Sequence, residues 1–248
     1  MSSQRVRAKR NPNWNNRKVT PPSSIYQQRL AQFIEQVTVY PVSCEKLARG
    51  RSDEQWLDGV LAGGARIVQL RDKISDDRIL FAKALVFRKK TSAAGALLIV
   101  NNRVDIALLV SADGVHLGNS DLPAEEIRRL APDLLIGVSA NSREQAASAR
   151  ERGASYYNIG PLFPTSTKAG LTEFIGEQAI TDYSSLSDLP FTVMGGIKLP
   201  HVAGLTALGA KRIAVVTALT QADDIARETR RWIEAIGTGI KTRGERHC

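Results

Sequence analysis

Residues 52–71 read SDEQWLDGVLAGGARIVQLR: a helical segment, a glycine pair and an apolar run in direct succession. Ser52-Asp53-Glu54-Gln55 has the capping-box pattern that starts a helix. Gly64-Ala65 ends it, because glycine supplies the left-handed residue that closes a helix. Arg66–Arg71 is then β-branched and nearly continuous in its apolar character, as in a strand buried on both faces. The same Gly-Ala pair stands before the next apolar run at Gly95-Ala96, Gly153-Ala154 and Gly209-Ala210. This is a repeated strand–helix unit.

Outward from that unit, strands are predicted at Val37–Ser43, Arg66–Arg71, Ala96–Asn101, Gly114–Leu117, Leu134–Ser139, Tyr156–Gly160, Phe191–Gly195 and Arg212–Val216. Ser142-Arg143-Glu144-Gln145 repeats the capping box, and Pro123 and Pro200 suit first turns. Ile25, Leu30, Phe33 and Ile34 predict a short helix packed on the barrel. Eight strands each followed by a helix favour an α/β fold, a (β/α)₈ TIM barrel, over a doubly wound open sheet. The expected organisation is a disordered basic tail over 1–24, one barrel domain over 25–238 and a flexible tail over 239–248. Residues 164–190 are too long for an ordinary βα loop, so a functional loop plus a helix is expected there.

The formal charge of +9 suggests nucleic acid until it is located. Arg5, Arg7, Lys9, Arg10, Arg17 and Lys18 lie in the first 24 residues with no acid among them. Taking those six from the 34 Lys and Arg leaves 28 cations against 25 acids. The folded part is near balance, so nucleic acid is not an expected partner. The tail reads as a solvated extension, with RNA or a membrane surface as the alternative contact. No apolar run approaches a membrane span and no secretory core opens the chain. Cys44 and Cys248 make no metal or disulfide framework, consistent with a cytoplasmic protein. A homo-oligomer is compatible with this sequence.

In such a barrel, chemistry gathers at the carboxyl ends of the strands. Those ends carry Gln69-Leu70-Arg71-Asp72-Lys73, Asn101-Asn102, Gly118-Asn119-Ser120-Asp121, Ser139, Gly195-Gly196 and Thr217. The sixth strand runs through Gly160-Pro161 and Pro164 into Thr165-Ser166-Thr167-Lys168, hydroxyls and an ammonium suited to phosphate. Arg71, Lys73 and Lys168 could neutralise a di- or triphosphate-sized anion, and Asp121 suits Mg²⁺. Gly195-Gly196 and Thr217 occupy the usual barrel position for a phosphate monoester, where small residues let backbone N–H groups approach. His116 reads as a satisfied barrel residue, His201 begins a helix, and no nucleophile–base arrangement stands out.

Together these residues resemble the thiamine phosphate synthase family over roughly residues 37–236. The resemblance is carried by Val68–Lys73, Ala112–Gly118 with Ser120-Asp121, Ile136–Ser139, Gly160–Lys168 and Gly195-Gly196-Ile197. It implies a (β/α)₈ transferase that joins hydroxymethylpyrimidine diphosphate to hydroxyethylthiazole phosphate, releasing pyrophosphate with Mg²⁺ by a dissociative route. By resemblance, Gln69, Arg71 and Lys73 hold the diphosphate substrate, with Asn101 and Ser139 near its pyrimidine. Thr165, Thr167 and Lys168 span the departing pyrophosphate and the thiazole partner, Gly196 and Thr217 take the thiazole phosphate, and Lys168, Arg71 and Ser139 carry the catalysis. Asp121 and Asn102 are the implied metal pair, although the family usually has Asp at the second position. Asn119 replaces a usual Gln, and Thr217 stands where Ser is common. The rival readings are a thiazole tautomerase, which uses a His near position 141 where this chain has Asn141, and a non-catalytic thiazole or thiamine phosphate binder.

Overall fold

The computed structural model describes residues 23–165 and 173–245. The chain alternates strands and helices: α1 (Ser24–Gln36), β1 (Val39–Pro41), α2 (Asp53–Ala62), β2 (Ile67–Leu70), α3 (Asp77–Ala93), β3 (Leu97–Asn101) and α4 (Val104–Leu109). It continues through β4 (Gly114–Leu117), α5 (Ala124–Leu130), β5 (Leu135–Ala140), α6 (Arg143–Ser148), β6 (Tyr156–Ile159) and α7 (Ala179–Ser184). The last elements are β7 (Phe191–Val193), α8 (Val202–Ala207), β8 (Ile213–Val215), α9 (Thr217–Thr220) and α10 (Ile225–Glu245).

All eight strands are parallel, in the order β1-β8-β7-β6-β5-β4-β3-β2. Val42 pairs with Gln69 in a single parallel bridge, and Ser43 N donates to Gln69 O at 2.9 Å, joining the two edges. That bridge rules out the open sheet and makes the fold a TIM barrel. No helix among the described residues is long and apolar enough to cross a membrane.

Alternation along each strand divides the core. Val68, Leu70, Leu98, Val100 and Ile136 face the helices, while Ile67, Leu97, Ile99, Leu135 and Tyr156 fill the barrel. The inward positions change from apolar to polar toward the carboxyl ends, as in Ile67-Gln69-Arg71 and Leu97-Ile99-Asn101. That gradient seals the bottom of the barrel and opens its top to polar chemistry. Below, α1 acts as a plug: Phe33 is fully buried, stacks on Tyr156 at 4.5 Å between ring centres, and lends its carbonyl to Arg212 Nε at 2.9 Å.

The helix-end reading meets the backbone directly. Gly64, Gly95, Gly153 and Gly209 all have positive φ, between +62° and +110°. The Ser52 capping box is complete, with Ser52 and Gln55 exchanging both hydrogen bonds. At Ser142 the box is shifted: its hydroxyl accepts from Gln145 N, but Gln145 Oε1 reaches back to Asn141 N at 2.7 Å instead. Two further expectations are corrected. Ile25 and Ile34 are exposed, so α1 packs through Phe33 and the half-buried Leu30. Residues 239–245, expected in a flexible tail, continue α10, whose Trp232 and Ile236 are buried. His201 ends a short 3₁₀ turn at Leu199–His201 and is the N-cap residue of α8, in keeping with its reading as a helix start. The basic tail of residues 1–22 lies outside the described residues.

Candidate active site

A cavity of about 520 Å³ opens at the carboxyl ends of the strands, a volume suited to small-molecule ligands. Gln69, Arg71, Lys73, Asn101 and Asn102 line one side, from β2, β3 and the loops that follow. Asp121 and Ser139 line it beyond β4 and β5, and Thr165, Gly196 and Thr217 complete it beyond β6, β7 and β8. Ten of the residues singled out from sequence thus share one cavity. Thr167 and Lys168 lie outside the described residues.

The cavity floor is a hydrogen-bonded chain that crosses the barrel. Asn101 Nδ2 donates to Gln69 Oε1 at 3.1 Å, and Gln69 Nε2 donates to the Tyr40 hydroxyl at 3.0 Å. The hydroxyls of Tyr40 and Tyr156 lie 2.9 Å apart. Tyr156 then meets His116 Nδ1 at 3.5 Å, and His116 Nε2 meets the Ser139 hydroxyl at 3.3 Å. Burial pushes the His116 pKa down to about 4 and raises both tyrosines, so the floor is uncharged near neutral pH. Beside the chain, Thr192 donates to Asn158 Oδ1 at 2.7 Å. Asn101 Oδ1 is buried without a hydrogen-bond partner among the described residues, so an acceptor is left for a ligand donor.

Asp121 and Asn102 meet above this floor. Asn102 Nδ2 donates to Asp121 Oδ1 at 2.7 Å, while Gly118 N donates to Oδ2 at 2.6 Å. The donor set fits Mg²⁺ as one carboxylate plus an amide oxygen once Asn102 turns its amide over; substrate phosphates and water normally supply the rest. A second acidic group, Glu45, Asp53 and Asp72, has metal-compatible spacing but does not line the cavity. Its place for a cation is taken by Lys83 Nζ, which pairs with all three carboxylates. The pair beside the cavity is therefore the better candidate for the metal.

The loops after β6 and β7 pack backbone against backbone. Leu162 N donates to Met194 O at 2.9 Å and Phe163 N to Gly195 O at 3.0 Å. Gly195 has φ +102°, and a Cβ there would lie 2.6 Å from Pro161 Cα. Gly196 has φ +64°, and a Cβ would strike the Pro164 carbonyl oxygen. These glycines are required by the close approach of the loops, which holds Thr165 beside Gly196 and Thr217 at the cavity. Anion access, the role read from sequence, shares that requirement.

Sequence reasoning passed over Tyr40, Asn158 and Thr192, and treated His116 only as a barrel residue. His116 is both: it is buried on β4 and faces the cavity. The available signal was the period of two, because each of these occupies an inward position on its strand. Asn141 also lines the cavity, its amide donating to Gly160 O and its oxygen accepting from Asn119 Nδ2 at 2.6 Å.

Comparison with known proteins agrees with this geometry. The sequence profile of the family described as thiamine monophosphate synthase (TMP-TENI) matches residues 39–219. The thiamine-phosphate synthase of Chloroflexus aurantiacus is 40% identical over 192 residues, covering 77% of this chain and 89% of that protein. That of Methanospirillum hungatei is 41% identical over 197 residues, covering 79% and 96%. The solved thiamine phosphate pyrophosphorylase from Pyrococcus furiosus superimposes with a TM-score of 0.76 at 30% identity, covering 82% of this chain and 97% of that one. Sequence match, shared barrel and coverage together make this chain a member of the thiamine monophosphate synthase family.

Proposed function

We propose that this chain condenses hydroxymethylpyrimidine diphosphate with hydroxyethylthiazole phosphate to give thiamine phosphate and pyrophosphate. The observation that carries the reading is one cavity with Arg71, Lys73 and Asp121 on one side, Gly196 and Thr217 on the other, and a polar floor between. Its two sides suit two phosphorylated small molecules. Asp121 and Asn102 would hold Mg²⁺, which would neutralise charge on the leaving diphosphate.

The chain's own residues suit a dissociative reaction. The bond between the pyrimidine methylene and the diphosphate oxygen breaks first, and its electron pair leaves with pyrophosphate. The thiazole nitrogen then donates its lone pair to the resulting pyrimidine cation. Neither step needs a protein base, in keeping with a His116 that burial holds neutral. Arg71 and Lys73, with Lys168 three residues beyond Thr165 in sequence, would stabilise the departing anion. The uncharged floor spares the forming cation a repulsive neighbour. Asn101 Oδ1 and the Ser139 hydroxyl would orient the pyrimidine ring, the former accepting from its amino group; the unpartnered Asn101 acceptor supports this role.

The test is turnover of purified protein with both substrates and Mg²⁺, followed as the fluorescent thiochrome formed from the product. Product formation at both substrates' saturation supports the synthase. Ligand binding without turnover would replace it with the binding-protein reading.

A further inference from the structure

Lys83, on α3, lies outside the cavity yet connects three loops or helix starts at its rim. Its ammonium pairs with Glu45 in the turn after β1, with Asp53 at the start of α2 at 3.2 Å, and with Asp72 in the β2–α3 loop at 2.8 Å. The Asp72 side chain is only 3% exposed. Its Oδ1 accepts from Ile74 N and Ser75 N, both at 3.0 Å, and its Oδ2 accepts from the Ser75 hydroxyl at 2.6 Å. The same loop is tied to β1 at Arg71, whose N donates to the Ser43 hydroxyl at 3.0 Å.

Asp72 stands between Arg71 and Lys73, and those two neighbours line the cavity. With the central side chain drawn outward into the ionic cluster, the flanking pair faces inward. Three carboxylates around one ammonium are a poor stability device, since burying charge costs more than an apolar cluster of the same shape. Asp53 Oδ1 is even left buried without a hydrogen-bond partner among the described residues. Geometry is what such a cluster can supply.

We propose that Lys83 is a positioning residue: by anchoring Asp72 against the β1 turn and α2, it holds Arg71 and Lys73 in the cavity and so sets affinity for the diphosphate group. This rests on the synthase reading for the identity of that group. Lys83 is invisible to motif reasoning because its partners come from separate parts of the chain, 11, 30 and 38 residues away.

The experiment compares wild type with Lys83→Met, Asp72→Asn and the control Lys90→Met. Lys90 pairs with Glu54 and Asp58 on the same α2–α3 face but lies away from the cavity. Calorimetry reads binding of inorganic pyrophosphate with Mg²⁺, steady-state kinetics read KM for each substrate, and far-ultraviolet circular dichroism checks folding. Both test variants should bind pyrophosphate about tenfold more weakly or worse, with KM raised for the diphosphate and held within about twofold for the thiazole phosphate. Lys90→Met should behave as wild type. Unchanged pyrophosphate binding in folded Asp72→Asn, or equal increases in both KM values, would overturn the proposal. Asp72→Asn decides the matter if Lys83→Met does not fold. A wild type that binds pyrophosphate without turnover would refute the synthase reading, while the binding comparison would still judge the tether.

Discussion

Asn102 holds a left-handed backbone at φ +64° and turns its amide onto Asp121, a conformation that Asn tolerates better than most residues. The amide supplies no charge, so this pair carries one negative charge where two carboxylates would carry two. Asn102→Asp should therefore lower the Mg²⁺ concentration for half-maximal turnover by roughly tenfold, and tighten Mn²⁺ binding to substrate-free protein. Matching metal titrations in the two proteins would show that this position does not set metal affinity. His116 gives a second prediction at this scale. Burial depresses its folded pKa to about 4, below the ordinary value of 6.5, so the unfolded chain binds the proton more readily between those limits. Stability is thus full above about pH 6.5 and falls toward pH 4, by about 1.4 kcal/mol per pH unit at most. His116→Gln should lose less melting temperature than wild type between about pH 7.5 and about pH 5. Parallel losses in the two proteins would remove His116 as the cause.

At the scale of elements, the paired loops after β6 and β7 are the most constrained part of the rim. Gly195→Ala adds a methyl 2.6 Å from Pro161 Cα at φ +102°, so it should cost about 2–4 kcal/mol through clash and backbone strain. Chemical denaturation checks this, and a loss below about 0.5 kcal/mol would mean that the loops separate freely. Strand positions were legible because apolar runs and Gly-Ala stops are local signals. The helix caps were legible for the same reason at Ser52, but at Ser142 the Gln145 side chain chose Asn141 N, one residue farther back. The plug helix was legible only as amphipathic spacing. Which of its residues entered the core depended on the barrel beneath, and Phe33 entered while Ile25 and Ile34 did not.

At the scale of the whole molecule, closing the sheet through Val42 and Gln69 gathers side chains from every strand end around one cavity. Lys168, outside the described residues, follows the rim residue Thr165 by three positions in sequence and is proposed to join Arg71 and Lys73 in holding the diphosphate. Lys168→Ala should lower kcat roughly a hundredfold while leaving the thermal melt of the barrel unchanged. Unchanged turnover would remove Lys168 from the reaction. The amino-acid order alone determined the repeating strand–helix unit, the glycine stops and the polar strand ends, since these depend on each residue and its near neighbours. Only the tertiary structure decided that Tyr40 meets Tyr156 from 116 residues away, that His116 faces the cavity, and that Lys83 fills the acidic cluster. Those contacts arise from inward alternation and barrel closure, which join distant parts of the chain that no local pattern connects.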